Sequence, residues 1–518
     1  MASRSGHMVP VMNGPSTMQA RSSRPRVKAP MSNLMRIRFA RRWSGWRRRM
    51  GALALLISVA LSSHAAFAVS VSRSGLGQVL LYPYYTARAS GPNGSYDTLF
   101  TVTNTTADTK VIRVRFRESR NGRPVAALNV YLRAYDSWTG AVTRFNGGAV
   151  VKTQDQSCVD PIAIGGSVPL AFSNSEYSGA NADGEDTSLT RTLEGYFEVF
   201  DLGVVTAPAV LNNIGPNAPF CAAVVSAPLD NAAAISPPSG GLTGSATIVS
   251  VADGTMYSYD ATALANFSTV PLWSRPDSAS PTLADVNPKV SLIFSDTDMQ
   301  QATWDVGKGS APADPVSAVL MANELMNWFV LDAATDSLTD WVVTMPTKPF
   351  YVSAGASAGS AARPPFESNF ALGGAPDFFG QFECPPAAAT PLMSDREGRT
   401  NTAGPVACIG ESPVIPLALS WVANVVTFNN GNLLNAVGPA SFVGSFSNGW
   451  AKLSPFPYAA GSVHRLVSTD SPPHTYYGLP MIGFMANDYV NRTLIVGGRP
   501  VLSNYSATSA HKPIMRME

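Results

Sequence analysis

Residues 110–119 alternate. Ile112, Val114 and Phe116 are apolar, and Arg113, Arg115 and Arg117 stand between them. A period of two puts the apolar set on one face of a strand and the guanidinium groups on the other. The pattern predicts a half-buried strand of an antiparallel sheet. Neighbouring segments repeat the signal. "DTLFTVTNTT" (residues 97–106) predicts a strand running into the turn "TADT". "NGRP" (121–124) predicts a turn. "LNVYLRAYDSW" (128–138) then alternates again, with Leu128, Val130, Leu132 and Ala134 on one face. With "GQVLLYPYYT" in front, four or five short strands with regular turns suit an immunoglobulin-like β-sandwich over residues 69–150.

Further along, the pattern stays strand-like but loses its regularity. Residues 151–240 read as a loop-rich β connection, and 241–518 as a second, larger, irregular β-rich domain. Strands are predicted at 192–205, 245–264 and 289–296. A strand pair broken near Pro346 is predicted at 339–352. "IPLALSWVANVVTFNN" and "YYGLPMIGFMANDYV" supply later strands. Residues 316–331 fit helix or strand equally. No fixed repeat is visible. The fold class is therefore mainly β. Pro and Gly punctuate the whole chain, which suits short strands and turns better than helical bundles.

The longest apolar run lies near the N-terminus. Residues 51–61 are apolar, with Arg47, Arg48 and Arg49 just before them and Ala66-Phe67-Ala68 after. The run is shorter than the roughly 20 residues a membrane-spanning helix needs. Basic flank, short apolar run and small residues form a secretory signal with Ala66 and Ala68 at the cleavage site. An uncleaved anchor is the competing reading. Arg41-Arg42 resembles a twin-arginine signal, but no strong apolar pair follows. The polar, Arg-rich residues 1–40 are unusual before a signal, and a start at Met31 or Met35 would give one of ordinary length.

Removing the leader changes the charge. Residues 1–68 hold twelve Arg and Lys and no acid, so the chain from Val69 onward has 25 basic against 35 acidic side chains, a net of −10. An acidic chain does not attract a phosphate backbone, so nucleic acid is not an expected partner. No stable transmembrane segment is expected after cleavage.

All four cysteines, Cys158, Cys221, Cys384 and Cys408, lie in the exported part. An even count in an exported chain points to disulfides, and four cysteines allow three pairings. Pairing of sequence neighbours, Cys158–Cys221 and Cys384–Cys408, is preferred. No CxxC is present, and His464, His474 and His511 lack the spacing of zinc ligands. Asp183, Glu185 and Asp186 form an acidic loop with a calcium-like composition but without EF-hand spacing, so a solvated turn is preferred.

Other candidate chemistry is sparse. "GASAG" (355–359) matches GxSxG around Ser357, but Pro364 and Pro365 follow where the motif needs a helix. No two carboxylates are singled out as a glycosidase pair. There is no P-loop, no GxGxxG in a βαβ setting and no haem-attachment CxxCH, so no cofactor is implied. The candidate ligand contacts are Trp138, read as an exposed aromatic at a strand end, and Arg113, Arg115 and Arg117. The arginine ladder is either an anion or polysaccharide site or, preferably, a solvated face paired with carboxylates on adjacent strands.

Several phrases carry a resemblance. "GQVLLYPYYT" (77–86), "TRTLEGYFEVFDLG" (190–203), "TDWVVTMPTK" (339–348), "YYGLPMIGF" (476–484) and "LSNYSATSAHK" (502–512) resemble a group of exported proteins of Gram-negative bacteria. The phrases span nearly the whole chain after the leader. The resemblance implies a bacterial protein of the periplasm, cell surface or medium, and it brings no activity, cofactor or catalytic residue.

The expectation is an exported, non-enzymatic envelope or extracellular protein with a structural, adhesive or ligand-binding role. Its partner would be a polysaccharide or another envelope protein. The alternative is a secreted hydrolase acting on polysaccharide or ester.

Overall fold

The alternating segment over residues 110–119 becomes the strand β4, Lys110–Glu118, but both of its faces are buried. Its surroundings explain why. The strand lies inside an eight-stranded sheet of mainly antiparallel neighbours that is covered on both sides. The structure, a computed structural model, describes residues 67–518 apart from 91–93, 162–168, 216–219, 296–297, 334, 353–362, 367–376, 380, 384–386, 390–392, 401–416, 443, 445, 456–463, 492–494 and 501–502.

The eight-stranded sheet is built from β1 (Ser70–Val71), β2 (Val79–Thr86), β4, β5 (Pro124–Leu132), β8 (Cys158–Asp160), β10 (Glu194–Val205), β11 (Ile235–Ser236) and β14 (Thr262–Ala265). Its order is β1-β14-β2-β10-β4-β5-β8, with β11 on β10. A six-stranded sheet faces it: β13 (Thr255–Asp260), β12 (Leu242–Ser250), β3 (Tyr96–Asn104), β6 (Ser137–Phe145), β7 (Gly148–Lys152) and β9 (Leu170–Ala171). Ile112, Val114 and Phe116 point into the core between the two sheets. There Phe100 meets Phe116 at 5.7 Å and Phe197 at 5.0 Å between ring centroids.

This is a β-sandwich, but not on the plan expected. An immunoglobulin-like domain has about seven to nine strands and closes on itself. Here strands from residues 194–205 and 242–265 are threaded among those before 150. The divisions drawn at 150/151 and 240/241 fall inside the sandwich, and the described residues belong to one compact unit. The missing information was long-range. Alternation places a side chain on a face, and says nothing about which distant segment covers that face.

The segment 316–331 resolves into both alternatives in turn. Pro315 sits in the first turn of a short helix, Asp314–Leu320, where its lack of an N–H costs nothing. The chain then extends through β17 (Met321–Ala322) and β18 (Glu324–Val330). Ahead of the helix, β15 (Val290–Phe294) and β16 (Met299–Thr303) form a hairpin.

Beyond them, β19 (Thr339–Thr344) is the centre of a five-stranded sheet. It lies between the strands Ala423–Phe428 and Ile482–Asn491, which are flanked by Ala440–Phe442 and Ser503–Ala510. One face packs on a four-stranded sheet containing β18: Phe329 stacks on Phe428 at 5.0 Å, and Trp341 lies 5.2 Å from Phe428. Val342, Val425, Phe484 and Ala486, on the other face, join the core of the first sandwich. Phe484 stacks on Tyr259 at 4.4 Å. The five-stranded sheet is thus also covered on both faces.

Cys158 on β8 is bonded to Cys221, at the start of the short helix Cys221–Ser226. The bond ties an edge of the eight-stranded sheet to the segment after β10. Cys384 and Cys408 lie outside the described residues, as do Ser357 and Ala66. Ala68 is buried at the start of the fold, and Val69 N–H donates to the Val290 carbonyl at 2.9 Å. Among the described residues no helix is long and apolar enough to cross a membrane.

Candidate functional site

The arginine ladder is neither solvated nor open to a ligand. Arg113 is fully buried and Arg115 nearly so. Arg113 donates to Asn129 Oδ1 at 2.6 Å and to the carbonyls of Arg275 at 2.6 Å, Ser274 at 2.8 Å and Ser280 at 3.2 Å. Arg115 donates to the carbonyls of Pro281 at 2.5 Å and Ser278 at 2.9 Å. The loop 274–281 therefore occupies the donors that an anion would need. Burial, with the Arg115 charge nearby, pushes Arg113 down to about 9, and burial, with the Arg117 charge nearby, pushes Arg115 down to about 10. Arg117 alone follows the expected cross-strand pairing. It meets Glu198 of β10 at 2.9 Å, and that carboxylate holds its pKa up against burial.

Trp138 is likewise inside, only 1% exposed, with its ring 5.4 Å from Phe100. The turn falls earlier than the sequence suggested. The strand β5 ends at Leu132, Tyr135 takes a left-handed φ of 56°, and β6 starts at Ser137. Trp138 then pairs with the inward-facing Val102, which fixes its direction. The proposed aromatic platform for sugars does not exist at this position.

The acidic loop is held by arginines. Arg191 donates to Asp183 through both terminal nitrogens, at 2.9 and 2.7 Å, and through Nε to Glu118 at 2.9 Å. These three side chains are fully buried. Asn121 adds a bond to Asp183, and Arg120 pairs with Glu185. Asp186 accepts from Ser188 and Thr190. Although burial opposes it, these donors bring Asp183 below the usual carboxylate range. Among the described residues no three His, Cys, Asp or Glu side chains converge to hold a metal.

Two carboxylates do share one face of the five-stranded sheet. Asp340 on β19 lies opposite Ala486, two residues from Asp488 on the same strand. Burial drives Asp340 up to about 7 and Asp488 up to about 6. Leu434 N–H donates to Asp340 at 2.8 Å, and Leu338 N–H to Asp488 at 2.8 Å. Asp340 is 0% exposed, and Tyr96 closes the same seam by donating to the Leu433 carbonyl at 2.6 Å. A polysaccharide cannot reach a carboxylate so placed, so this pair lends no support to a glycosidase.

A concavity with an open mouth lies elsewhere, where the first sandwich meets the rest of the chain. It is a cavity of about 320 Å³. Val71 of β1 and Thr262 of β14 form one wall, and Leu292 and Phe294 of β15 a second. The end of the helix Asp314–Leu320 and Met321 of β17 close it from a third side. Met481, Ile482 and Gly483 line the floor with His511, Pro513 and Met515. Each element supplies only one to three side chains, most of them apolar, so no local motif announces the cavity.

His511 is the main polar group of the interior. Its Nε2 lies 2.8 Å from the Val342 carbonyl, which fixes the proton there. Its Nδ1 then accepts from the Asn327 amide at 3.0 Å. Burial pushes it down to about 4, so the ring is neutral at pH 7. Trp341 packs 5.3 Å from it. Gly483 makes room for this contact: a Cβ there would run into the Val342 carbonyl and stand 3.0 Å from the His511 ring. With both ring nitrogens engaged, His511 does not act as a base toward a molecule in the cavity.

Arg73 stands at the rim. It is exposed, and its guanidinium carbon lies 4.5 Å from the centre of the Phe294 ring. It is the sole charged side chain among the described lining residues. Nothing in "VSRSG" marked it in the sequence, because a lone Arg beside a turn glycine is ordinary surface. His464 and His474 line no part of this cavity. His464 is buried with Nδ1 2.7 Å from the Pro365 carbonyl. A second, wider hollow of about 650 Å³ lies on the outer face of the six-stranded sheet, among Leu99, Thr101, Thr139, Ser245, Thr247 and Met256. Its hydroxyls pair across the strands, Thr247 with Ser258 at 2.8 Å and Thr101 with Ser245 at 3.4 Å. No family model, curated protein or solved structure matches this chain, so the site rests on its geometry alone.

Proposed function

We propose that the chain is an exported, non-enzymatic binding protein that holds a small, largely apolar molecule in the cavity between β1, β15 and Met481–Gly483. The observation that carries this reading is the cavity itself. About 320 Å³ lies at the low end of the range of ligand sites. Its walls are mostly aliphatic side chains and methionines, with Phe294, Thr262 and Ser295 among them, and its one interior histidine is already satisfied. Such a lining releases poorly hydrated surface when an apolar molecule enters. Among the described lining residues there is no nucleophile with a base beside it, which favours binding over hydrolysis.

Export is supported by the leader-like run at 51–61 with Ala66 and Ala68 after it, and by the disulfide, which suits an oxidising compartment. The adhesive reading has lost the contacts it began with, since Trp138 and the three arginines are buried.

The test is a titration of the purified protein with a fluorescent apolar probe, 1-naphthol, against the variant Met481→Trp, which fills the floor of the cavity. We expect saturable binding in the native protein and at least a tenfold loss in the variant, with its melting temperature within a few degrees of native. Equal binding by both proteins would remove the cavity from consideration.

A further inference from the structure

Resting on that binding reading, we infer that the cavity selects an anionic amphiphile: a flexible apolar chain of medium length ending in a carboxylate, with the carboxylate held by Arg73. Three observations lead there.

The first is size. A dry cavity of about 150 Å³ holds one benzene ring. The present cavity is about twice that, 320 Å³. It therefore takes roughly ten to twelve carbon atoms, scaling from the benzene case. The second is shape tolerance. Met321, Met481 and Met515 contribute three unbranched, polarizable side chains to the wall. Methionine surfaces adapt to flexible guests better than branched aliphatics do.

The third is charge. No Asp or Glu is among the described lining residues, and His511 is neutral, so among them the guest meets a single full charge, that of Arg73. Among the described residues Arg73 forms no ion pair, and its guanidinium lies over the face of Phe294. Stacking on a ring orients the guanidinium plane and leaves its edge donors free. A planar fork so presented matches a carboxylate through two parallel N–H···O bonds. A neutral alcohol takes one bond at best, and an ammonium head is repelled. The apolar tail lies inward and the head outward, so no charge has to leave water entirely.

The measurement is a calorimetric titration of the full chain with decanoate, decan-1-ol and decylammonium, kept below their aggregation concentrations. The same titrations are run on Arg73→Gln and Met481→Trp. We expect decanoate to bind about tenfold more tightly than decan-1-ol, as one charge-assisted contact at a partly wet site gives. Decylammonium should bind most weakly. In Arg73→Gln the preference for decanoate over the alcohol should fall to about one, and in Met481→Trp both ligands should lose affinity together. If decanoate and decan-1-ol bind the native protein equally, the head-group assignment falls while the cavity reading survives. If neither binds, or if Met481→Trp changes nothing, the cavity reading falls and takes this inference with it.

Discussion

Arg113 and Arg73 occupy the same protein under opposite conditions. Arg113 lies at the centre of a sheet, and its guanidinium is surrounded by carbonyls of the loop 274–281. Arg73 lies at the rim of a cavity, stacked on Phe294, with no acid beside it among the described residues. The ladder of three arginines attracted attention in the sequence because it is dense and regular. The isolated one did not. Yet a charged group whose donors are all engaged has nothing left to offer a ligand, whereas one with free donors beside an apolar hollow does. Charge density along a strand is therefore a poor guide to a site, and the state of each donor is a better one.

The sharpest way to break this contrast is to remove an interior arginine. Arg191 is the clearest case, since it joins Glu118 and Asp183 with all three side chains at 0% exposure. Arg191→Met would leave two buried carboxylates without their partner. Breaking a buried pair on one side costs about 3–5 kcal/mol. Urea unfolding of the variant should show a loss of that size. A loss below about 1 kcal/mol would mean that water already reaches the network, and the interior arginines would then be no different from Arg73.

The disulfide gives a covalent counterpart. It closes a loop of 63 residues between β8 and the helix Cys221–Ser226. By chain entropy a loop of that length is worth about 4 kcal/mol, and measured values are often smaller. Cys158→Ala with Cys221→Ala should lower stability by about 2–4 kcal/mol. A change indistinguishable from zero by denaturant titration would show that the unfolded chain keeps these segments close.

How much of this was readable beforehand differs between the fold and the site. Alternation placed Ile112, Val114 and Phe116 on one face correctly, because side-chain direction in a strand is a local property. The pairing of Cys158 with Cys221 followed sequence proximity. Burial of Arg113 was invisible, because the covering loop lies some 160 positions away in the chain. Trp138 was misplaced by a turn boundary: β5 ends at Leu132 and β6 starts at Ser137, so Trp138 lies within a strand and faces the core with Leu128 and Leu132 instead of ending a strand in solvent. The cavity could not be read at all. Val71, Leu292, Met321, Met481 and His511 come from five separate segments, and none belongs to a motif.

The seam carboxylates supply a test by pH. Asp340 is pushed up to about 7, while in the unfolded chain it takes the ordinary carboxylate value near 4. Between these values the folded state keeps a proton that the unfolded state has lost, so stability falls as pH rises through that window. Asp488, raised to about 6, acts in the same direction. His511, lowered to about 4, acts oppositely and costs stability as pH falls from about 6.5. Comparing Asp340→Asn with the native chain cancels the other groups. From about pH 5 to about pH 8 the variant should gain about 2 kcal/mol relative to native. Parallel curves would mean that Asp340 ionises freely, and the seam would then be wetter than the structure describes.

The smallest expected effect is the most telling for the comparison. Arg73 is exposed and forms no ion pair among the described residues, so Arg73→Gln removes only a stacking contact with Phe294. Surface changes of this kind stay within about 0.5 kcal/mol. Arg191→Met and Arg73→Gln each delete one guanidinium, yet their unfolding curves should differ by several kcal/mol, because only the first leaves buried anions behind. If Arg73→Gln proved as damaging as the interior change, Arg73 would belong to the scaffold. A neutral result keeps its charge available to a ligand, which is the condition the cavity needs for a carboxylate to be recognised there.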